Sequence, residues 1–219
     1  MTQFSRVEDA LSALVEGRTV IVVDAVDREN EGDFVMAAEK VTAEDIHFMI
    51  SEGRGQLCTS ILPETARRLR LKQMVPKRGA GTPCFTIPVD HVFCTTGISP
   101  QERAFTVRGI TDPATRSKHF KRPGHVFPLI AREGGVLERP GHTEASVDLM
   151  RMAGLGPFGL LCEVCSRDGK HMAGGPELFD IANQFGLLVI TIDQVIEFRR
   201  RALASEPSVA PEQQSASRN

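Results

Sequence analysis

The chain has no tryptophan and no tyrosine, and it has no large surplus of charge of either sign. Its 26 basic and 28 acidic residues, among 219 in all, provide no positive field that would attract nucleic acid or anionic lipid. Twelve phenylalanines are the only aromatic side chains left to stack on bases. These shortages predict that nucleic acid is not a partner of this protein.

Long hydrophobic runs are missing as well. No window approaches the roughly 18 apolar residues that a membrane-spanning helix needs. The N-terminal stretch MTQFSRVEDALSALVEG has no apolar segment behind a basic start, which a secretory signal would have. The five cysteines are an odd number with irregular spacing, which is typical of reduced thiols rather than of a disulfide framework. We therefore expect a cytoplasmic protein that does not enter a membrane.

The sequence does contain an alternation of helix and strand patterns. Strands are predicted at 19–23, 34–38, 56–61, 84–89, 126–131, 160–165 and 187–192. Helices are predicted at 6–17, 42–53, from 63, 100–107, 143–153, 176–184 and 195–203. Residues 109–124 are predicted as a loop. We expect one α/β (α+β) domain over residues 1–204, with a mixed sheet flanked by helices, and a disordered tail over 205–219.

The acidic segment DRENEGD, residues 27–33, follows the first predicted strand closely. Its four carboxylates repel one another, and a divalent cation would relieve that repulsion. Hard oxygen ligands suit Mg²⁺ or Mn²⁺, which need few protein ligands when water and substrate supply the others. Composition alone also allows a solvated surface turn. The position at the end of a strand favours a functional site.

The tetrapeptide RPGH occurs twice, and its second copy, at 139–142, precedes a predicted helix. Gly141 would let the backbone approach a ligand, and Thr143 with the free N–H groups of the first turn could bind an oxyanion. Arg139 would add a charge-assisted contact. His142 could ligate a metal as a neutral imidazole, and the alternative is an N-terminal cap with a partly buried histidine.

The first copy of RPGH, at 122–125, leads into the apolar strand VFPLIA. His125 would then stand at the entrance of a strand. Such a histidine could transfer protons, because imidazole titrates near neutral pH, or it could simply satisfy backbone groups. Both interpretations remain open at this point.

The run LLCEVC, residues 160–165, places a carboxylate inside an apolar strand. A buried carboxylate is costly unless it is paired or neutralised, and such groups are frequent general bases. Strand alternation would put Glu163 and Cys165 on one face and Cys162 on the other. Cys162 and Cys165 with the nearby His171 could also form half a zinc site or a redox pair. No second pair of ligands supports that alternative.

Taken together, DRENEGD after a strand, RPGHVFPL, R-x-GHTEASVDLM and a Cys-Glu pair on a later strand resemble the 3,4-dihydroxy-2-butanone 4-phosphate synthase family of riboflavin biosynthesis, over roughly residues 5–200. The resemblance implies conversion of ribulose 5-phosphate to 3,4-dihydroxy-2-butanone 4-phosphate and formate with Mg²⁺ or Mn²⁺. It also implies a homodimer with active sites at the subunit interface. No room is left for the GTP cyclohydrolase II domain that is often fused to this family, so a stand-alone form is predicted.

The same resemblance assigns site residues, all named here by their numbers in this sequence. The catalytic residues would be His125, Glu163, Asp33 and Cys58, the last in a Gly-x-Gly-x-x-Cys pattern that begins at Gly53. The substrate-binding residues would be Arg28, Glu29, Asp33, Arg139, Pro140, Gly141, His142, Thr143 and Glu163. The metal ligands would be Glu29 and His142.

A few positions depart from the family's pattern. Pro140 stands where a small residue is usual, Gly174 replaces an arginine, and Arg167 is gained nearby. Two other interpretations stay open. One is a diverged relative that performs related metal-dependent enolisation on another sugar phosphate. The other is a non-catalytic scaffold, which predicts the loss of at least one acidic-loop or Gly-His-Thr residue.

Overall fold

In the computed structural model, helices and strands alternate along the residues described, which are 3–75, 79 and 81–205. The strands are β1 (Val20–Val23), β2 (Gly32–Ala37), β3 (Arg54–Ile61), β4 (Val89–His91), β5 (Phe120–Ile130), β6 (Gly159–Val164) and β7 (Val189–Thr191). The helices are α1 (Val7–Val15), α2 (Ala43–Phe48), α3 (Pro63–Leu69), α4 (Pro100–Thr111), α5 (His142–Met152), α6 (Gly175–Phe185) and α7 (Ile192–Ser205).

The strands form one mixed sheet in the order β4-β5-β3-β6-β2-β1-β7. The β1–β7 and β3–β5 pairs are parallel, and the other neighbouring strands are antiparallel. Because side chains alternate along each strand, Ile21 and Phe34 enter a core with α2, α3, α4 and α6, while Val20 and Val35 enter a second core with α1, α5 and α7. The predicted fold class, a single domain with a mixed sheet flanked by helices, is confirmed.

Capping residues define the starts of two helices as the sequence predicted. The Thr42 hydroxyl accepts the N–H of Asp45, and the Asp45 carboxylate accepts the N–H of Thr42, so a capping box opens α2. The Ser99 hydroxyl accepts the N–H of Glu102 at the start of α4. After α2, the π-helical turn Met49–Gly53 turns the chain directly into β3.

Two predictions around the edge of the sheet were wrong. The predicted strand at 84–89 is wrong: Phe85 and Thr86 form only isolated bridges, and β4 begins at Val89. The predicted loop at 109–124 contains the end of α4 and the start of β5. His125 therefore lies inside a strand and not at its entrance. The misleading residue is Pro123, which normally interrupts a strand. Here it falls in the stretch of β5 that bulges between the pairs Val89–Val126 and Asp90–Lys121, where a missing N–H breaks no ladder hydrogen bond.

Three further expectations concern the chain as a whole. Ser205 ends α7, and the rest of the predicted tail, 206–219, lies outside the described residues. None of the helices within 3–75, 79 and 81–205 has the length and apolar character needed to cross a bilayer. None of the five cysteines forms a disulfide.

Candidate active site

A cavity of about 380 Å³ opens where the N-terminus of α5 meets the sheet. Eight of the site residues expected from the sequence line it, namely Arg28, Glu29, Asp33, Cys58, Arg139, His142, Thr143 and Glu163. His125, Pro140 and Gly141 are not among its described lining residues. A larger cavity of about 660 Å³, beside α3 and the end of β5, is lined by none of the expected residues. The chemistry therefore concentrates in the smaller cavity.

The acidic loop over this cavity is organised by Asp24, which sequence reasoning did not single out. One Asp24 oxygen accepts the N–H of Glu31 at 2.8 Å. The other accepts the N–H of Glu29 at 3.2 Å and Arg28 Nη1 at 2.6 Å. The Asp24 side chain is fully buried directly after β1, and its hydrogen bonds hold the backbone of the acidic loop. They keep Glu29 near His142 at the start of α5. The one sequence feature that could have pointed to Asp24 was its position at the end of a buried strand.

His142, the first residue of α5, is held in one tautomer. Its Nε2 lies 3.2 Å from the carbonyl oxygen of Val22, which can only accept, so Nε2 carries the hydrogen. The lone pair of the neutral ring is then on Nδ1. Burial lowers the pKa of His142, and the Arg28 charge opposes protonation too, against the attraction of Asp24 and Glu29. The imidazole is thus kept in the neutral form that binds metals.

Asp24, Glu29 and His142 each offer a ligand atom, and these atoms lie within 4.8 Å of one another. The set of two carboxylates and one imidazole fits Mg²⁺ or Mn²⁺, with water or substrate completing the shell. The hydrogen bonds that Asp24 already accepts leave Glu29 and His142 as the residues best placed to ligate. Glu29 is also bound by Arg28 at 2.6 Å, so a cation would compete with that guanidinium.

Cys162, Cys165 and His171 form no comparable group among the described residues. Cys162 is buried in the first core, and its Sγ lies 3.4 Å from the carbonyl oxygen of Met49. The ring of His171 pairs instead with Asp168 at 2.7 Å. The sequence alternative of half a zinc site therefore has no support in the described part of the chain.

Two carboxylates face each other on the floor of the cavity. Asp33 on β2 and Glu163 on β6 are register partners in neighbouring antiparallel strands, so their side chains share one face of the sheet. Burial raises the pKa of Asp33 well above its usual range, and the nearby charges of Glu163 and Glu31 raise it further. No described residue donates a hydrogen bond to Asp33 Oδ1, and His142 Nδ1 is 3.9 Å away. Asp33 thus lines the cavity as a carboxyl group whose raised pKa makes it harder to deprotonate than an exposed one.

Gly55 allows the backbone of β3 to lie close to the Glu163 side chain. The Glu163 carboxylate accepts the N–H of Gln56 at 2.6 Å, which draws β3 close to it. A Cβ added at Gly55 would lie 2.7 Å from Glu163 Oε2 and would also strike the Glu163 backbone. The second glycine of the Gly-x-Gly-x-x-Cys pattern is therefore required for this close approach and not for a turn.

Cys58, the last residue of that pattern, lies on β3 at the wall of the cavity and is buried. Burial raises the pKa of the thiol well above its usual range, and the charges of Glu163 and Asp33 add to the effect. A thiol that keeps its proton is a poor nucleophile. Cys58 can shape the cavity and donate a weak hydrogen bond, and its raised pKa does not favour thiolate chemistry.

An anion-binding corner lies at the start of α5. Gly141 is the N-cap, and the N–H groups of His142 and Thr143 follow in the first turn, where helices leave N–H groups free. Arg139 lines the same corner and is held by Glu144 at 2.6 Å. A Cβ at Gly141 would strike the guanidinium of Arg139, so this glycine makes room for the arginine and not directly for a ligand.

Replacing Asp33 with asparagine is expected to stabilise the metal-free fold at pH 7.5 by roughly 1–2 kcal/mol. Because burial raises the pKa of Asp33, the folded chain keeps its proton at pH values where the unfolded chain has released it. The resulting cost is absent below the unfolded value, about 3.9, and grows as the pH rises toward the folded value. Urea denaturation of both proteins in EDTA at pH 5 and pH 7.5 measures the difference.

The matched control for this substitution is Asp27→Asn, which makes the same change from carboxyl to amide at an exposed position on the neighbouring loop. It is expected to change the free energy of unfolding by less than about 0.5 kcal/mol. An Asp33→Asn protein that is no more stable than the wild type at pH 7.5 would contradict the burial argument.

His125 is placed outside the cavity, in a pair with Asp90. Its Nδ1 lies 2.8 Å from Asp90 Oδ2, and its backbone N–H donates to Asp90 Oδ1 at 2.9 Å. The histidine side chain is 41% exposed, whereas Asp90 is only 5% exposed. The chain therefore presents an oriented imidazole on its surface, and this chain alone does not bring it to the carboxylates. Asp90 was not recognised in the sequence, because its partner is distant along the chain.

The comparisons with known proteins agree with this geometry. Residues 8–198 match the family model described as 3,4-dihydroxy-2-butanone 4-phosphate synthase. The riboflavin biosynthesis protein RibBA of Bacillus mycoides is 50% identical over 198 residues, which cover 90% of this chain and 50% of that protein. This chain therefore spans about half the length of the curated relatives it matches.

Solved structures give the same result. The two-domain 3,4-dihydroxy-2-butanone 4-phosphate synthase RibBX from A. baumannii superposes with a TM-score of 0.86 at 43% identity, over 89% of this chain and 58% of that one. A 3,4-dihydroxy-2-butanone 4-phosphate synthase in complex with two magnesium ions superposes with a TM-score of 0.85 at 37% identity, over 91% of this chain and 99% of that one. With the family model covering most of its residues, this chain belongs to the 3,4-dihydroxy-2-butanone 4-phosphate synthase family.

Proposed function

We propose that this protein converts ribulose 5-phosphate to 3,4-dihydroxy-2-butanone 4-phosphate and formate. One observation carries the proposal: a single cavity holds a metal-ligand cluster, an anion-binding helix start and a pair of carboxylates. A ketose phosphate needs all three, because its phosphate must be held while protons move at the other end of the molecule. The scaffold interpretation predicts the loss of at least one acidic-loop or Gly-His-Thr residue, and none of these residues is lost.

Glu29 and His142 hold Mg²⁺ or Mn²⁺ in this proposal. The bound cation supplies Lewis acidity, which stabilises negative charge that develops on oxygen during enolisation. The related synthase crystallised with two magnesium ions supports a divalent metal. Asp24 keeps Glu29 in place, and the neutral His142 ring offers a ligand atom within 4.8 Å of the Asp24 and Glu29 carboxylates.

The remaining residues bind substrate and move protons. Arg139 and the first turn of α5 hold the phosphate, and the binding energy of this group orients the reacting carbons. Asp33, whose pKa burial raises, donates a proton, and Glu163, fixed by the N–H of Gln56, accepts one. One of the two facing carboxyl groups thus acts as a general acid and the other as a general base in the same cavity.

We further propose a cytoplasmic homodimer in which His125 of one copy reaches the cavity of the other. Exposed apolar side chains surround the Asp90–His125 pair, and Phe93 is 83% exposed. Phe93 and Phe105 pack against the ring of His91, the residue next to Asp90. An exposed apolar patch of this kind favours an interface with a second copy of this chain. Five cysteines without a disulfide among them favour a reducing compartment.

Incubation with ribulose 5-phosphate and Mg²⁺ is expected to release formate and a four-carbon phosphate in equal amounts, as followed by NMR. EDTA should abolish the release, and added Mn²⁺ or Mg²⁺ should restore it, because the developing oxygen charge would otherwise be unstabilised. Binding of Mn²⁺ without formate would reject this activity and point to a related reaction on another sugar phosphate.

A further inference from the structure

The pair formed by Asp90 and His125 has the geometry of an oriented acid–base group. Both oxygens of the buried Asp90 carboxylate contact the same residue, one at the backbone N–H and the other at Nδ1 of the ring. A carboxylate can only accept these hydrogen bonds, so Nδ1 carries the hydrogen and the lone pair of the neutral ring is on Nε2. Nε2 is the nitrogen that the carboxylate leaves free to face outward, on a side chain that is 41% exposed.

The charge of Asp90 is not used elsewhere among the described residues around it. Lys121 is its register partner on β5, but Lys121 Nζ donates to the carbonyl oxygens of Cys94 and Thr95 at 2.7 and 3.3 Å. The nearest acidic group on α4, Glu102, accepts hydrogen bonds from Thr95 and from the N–H of Gly97. Among the described residues around it, the imidazole of His125 is therefore the titratable side chain that binds the Asp90 carboxylate.

The surrounding loop is shaped around the carboxylate. Gly97 has a φ of +88° and packs so closely on Asp90 that a Cβ at this position would strike both carboxylate oxygens. Glu102 ties the backbone of this loop to α4, which keeps the close contact in place. A carboxylate enclosed in this way cannot turn away from the histidine that it binds.

We propose that Asp90 is a positioning residue that fixes His125 as a base at Nε2. The inference rests on the proposed function, in which Nε2 faces the substrate bound to a second copy. The tautomer of His125 can nevertheless be tested independently of that function, because it is a property of the protein without substrate. A cap that merely satisfied the backbone of the strand would need only one of the two carboxylate oxygens.

Asp90→Asn tests the proposal through a forced change of tautomer. The backbone N–H of His125 can only donate, so the single amide oxygen must stay opposite it. The amide NH₂ then faces Nδ1 and donates to it, which moves the ring hydrogen to Nε2 and removes the lone pair there. We expect kcat to fall at least about tenfold with KM nearly unchanged, the loss that follows when a base is misoriented.

Imidazole ¹⁵N NMR without substrate, with the signal assigned from His125→Gln, gives the second readout. The wild type should show the hydrogen on Nδ1, and Asp90→Asn should show it on Nε2. A wild-type ring with its hydrogen on Nε2 would overturn the proposal even if the variant failed to fold. So would an Asp90→Asn enzyme with unchanged kcat, or one whose loss of kcat persisted undiminished in a His125→Ala background.

A matched control is Asp112→Asn, an exposed aspartate at the end of α4 that should change neither the tautomer nor kcat. Failure of the proposed function looks different from failure of this inference. If the wild type released no formate, the activity would be rejected, and the NMR comparison would still decide whether Asp90 sets the tautomer of His125.

Discussion

Replacing Glu29 with glutamine is expected to lower kcat/KM for formate release by at least about a hundredfold at saturating Mg²⁺. The amide keeps the size of the side chain but loses the charge that pairs with a cation, and only His142 among the two proposed ligands remains. Mn²⁺ affinity, measured by electron paramagnetic resonance, should fall at least about tenfold. Both losses should appear without a lower melting temperature, because the Glu29 side chain is 46% exposed.

Asp27→Asn is the matched control for the metal site. Asp27 is an exposed carboxylate two residues away on the same loop and does not line the cavity. Its loss should leave Mn²⁺ affinity and turnover within about twofold of wild type, since an exposed carboxylate that supplies no ligand atom acts on the cation only weakly, through water of high dielectric constant. If Glu29→Gln kept full turnover, the proposed role of Glu29 as a ligand would have to be abandoned.

Two inactive variants are expected to restore each other when they share a dimer. Glu163→Gln and His125→Ala should each reduce turnover at least about a hundredfold as homodimers. In a heterodimer of the two, one cavity keeps its own Glu163 and receives an intact His125 from the other subunit. That cavity should work normally, so heterodimers purified through two different tags should show about half of wild-type activity.

A heterodimer of Glu29→Gln with Glu163→Gln is the control, because it shows whether forming any heterodimer raises activity by itself. Both changes fall on the same cavity, so each site of that heterodimer keeps one defect and should stay inactive. If the Glu163→Gln and His125→Ala pair also stayed inactive, His125 would act within its own chain or not at all, and the shared site would be rejected. Sedimentation of the wild type gives the oligomeric state independently.

The fold was largely predictable because local patterns agree with it. The strand at Val20–Val23 and the helices that follow Thr42 and Ser99 were expected from β-branched runs and capping residues. The errors fall at the edge of the sheet, where Pro123 lies inside β5. A bulge tolerates proline only because of how β4 pairs with β5, and that pairing is formed between segments about 30 residues apart.

The residues that hold the site in place were much harder to predict than the residues that line it. Asp24 and Asp90 are single aspartates without a local motif, and each acquires its role through the groups that the fold brings to its carboxylate. Gly55 was noticed as part of a pattern, but the pattern did not show that Glu163 would lie against it. A hydrogen bond between distant segments leaves no periodic signal in the sequence.

By itself the sequence determined the class of fold, the family and the residue types that can bind metal and phosphate, because these depend on local periodicity and on short motifs. Tertiary structure decided how those residues act. The antiparallel pairing of β2 with β6 sets Asp33 opposite Glu163, and burial at this position raises the pKa of Asp33. The start of α5 buries His142 as a neutral ring, while β5 carries His125 to the outside. The two RPGH copies differ because burial and hydrogen-bond partners, which set tautomer and charge, exist only in the folded chain.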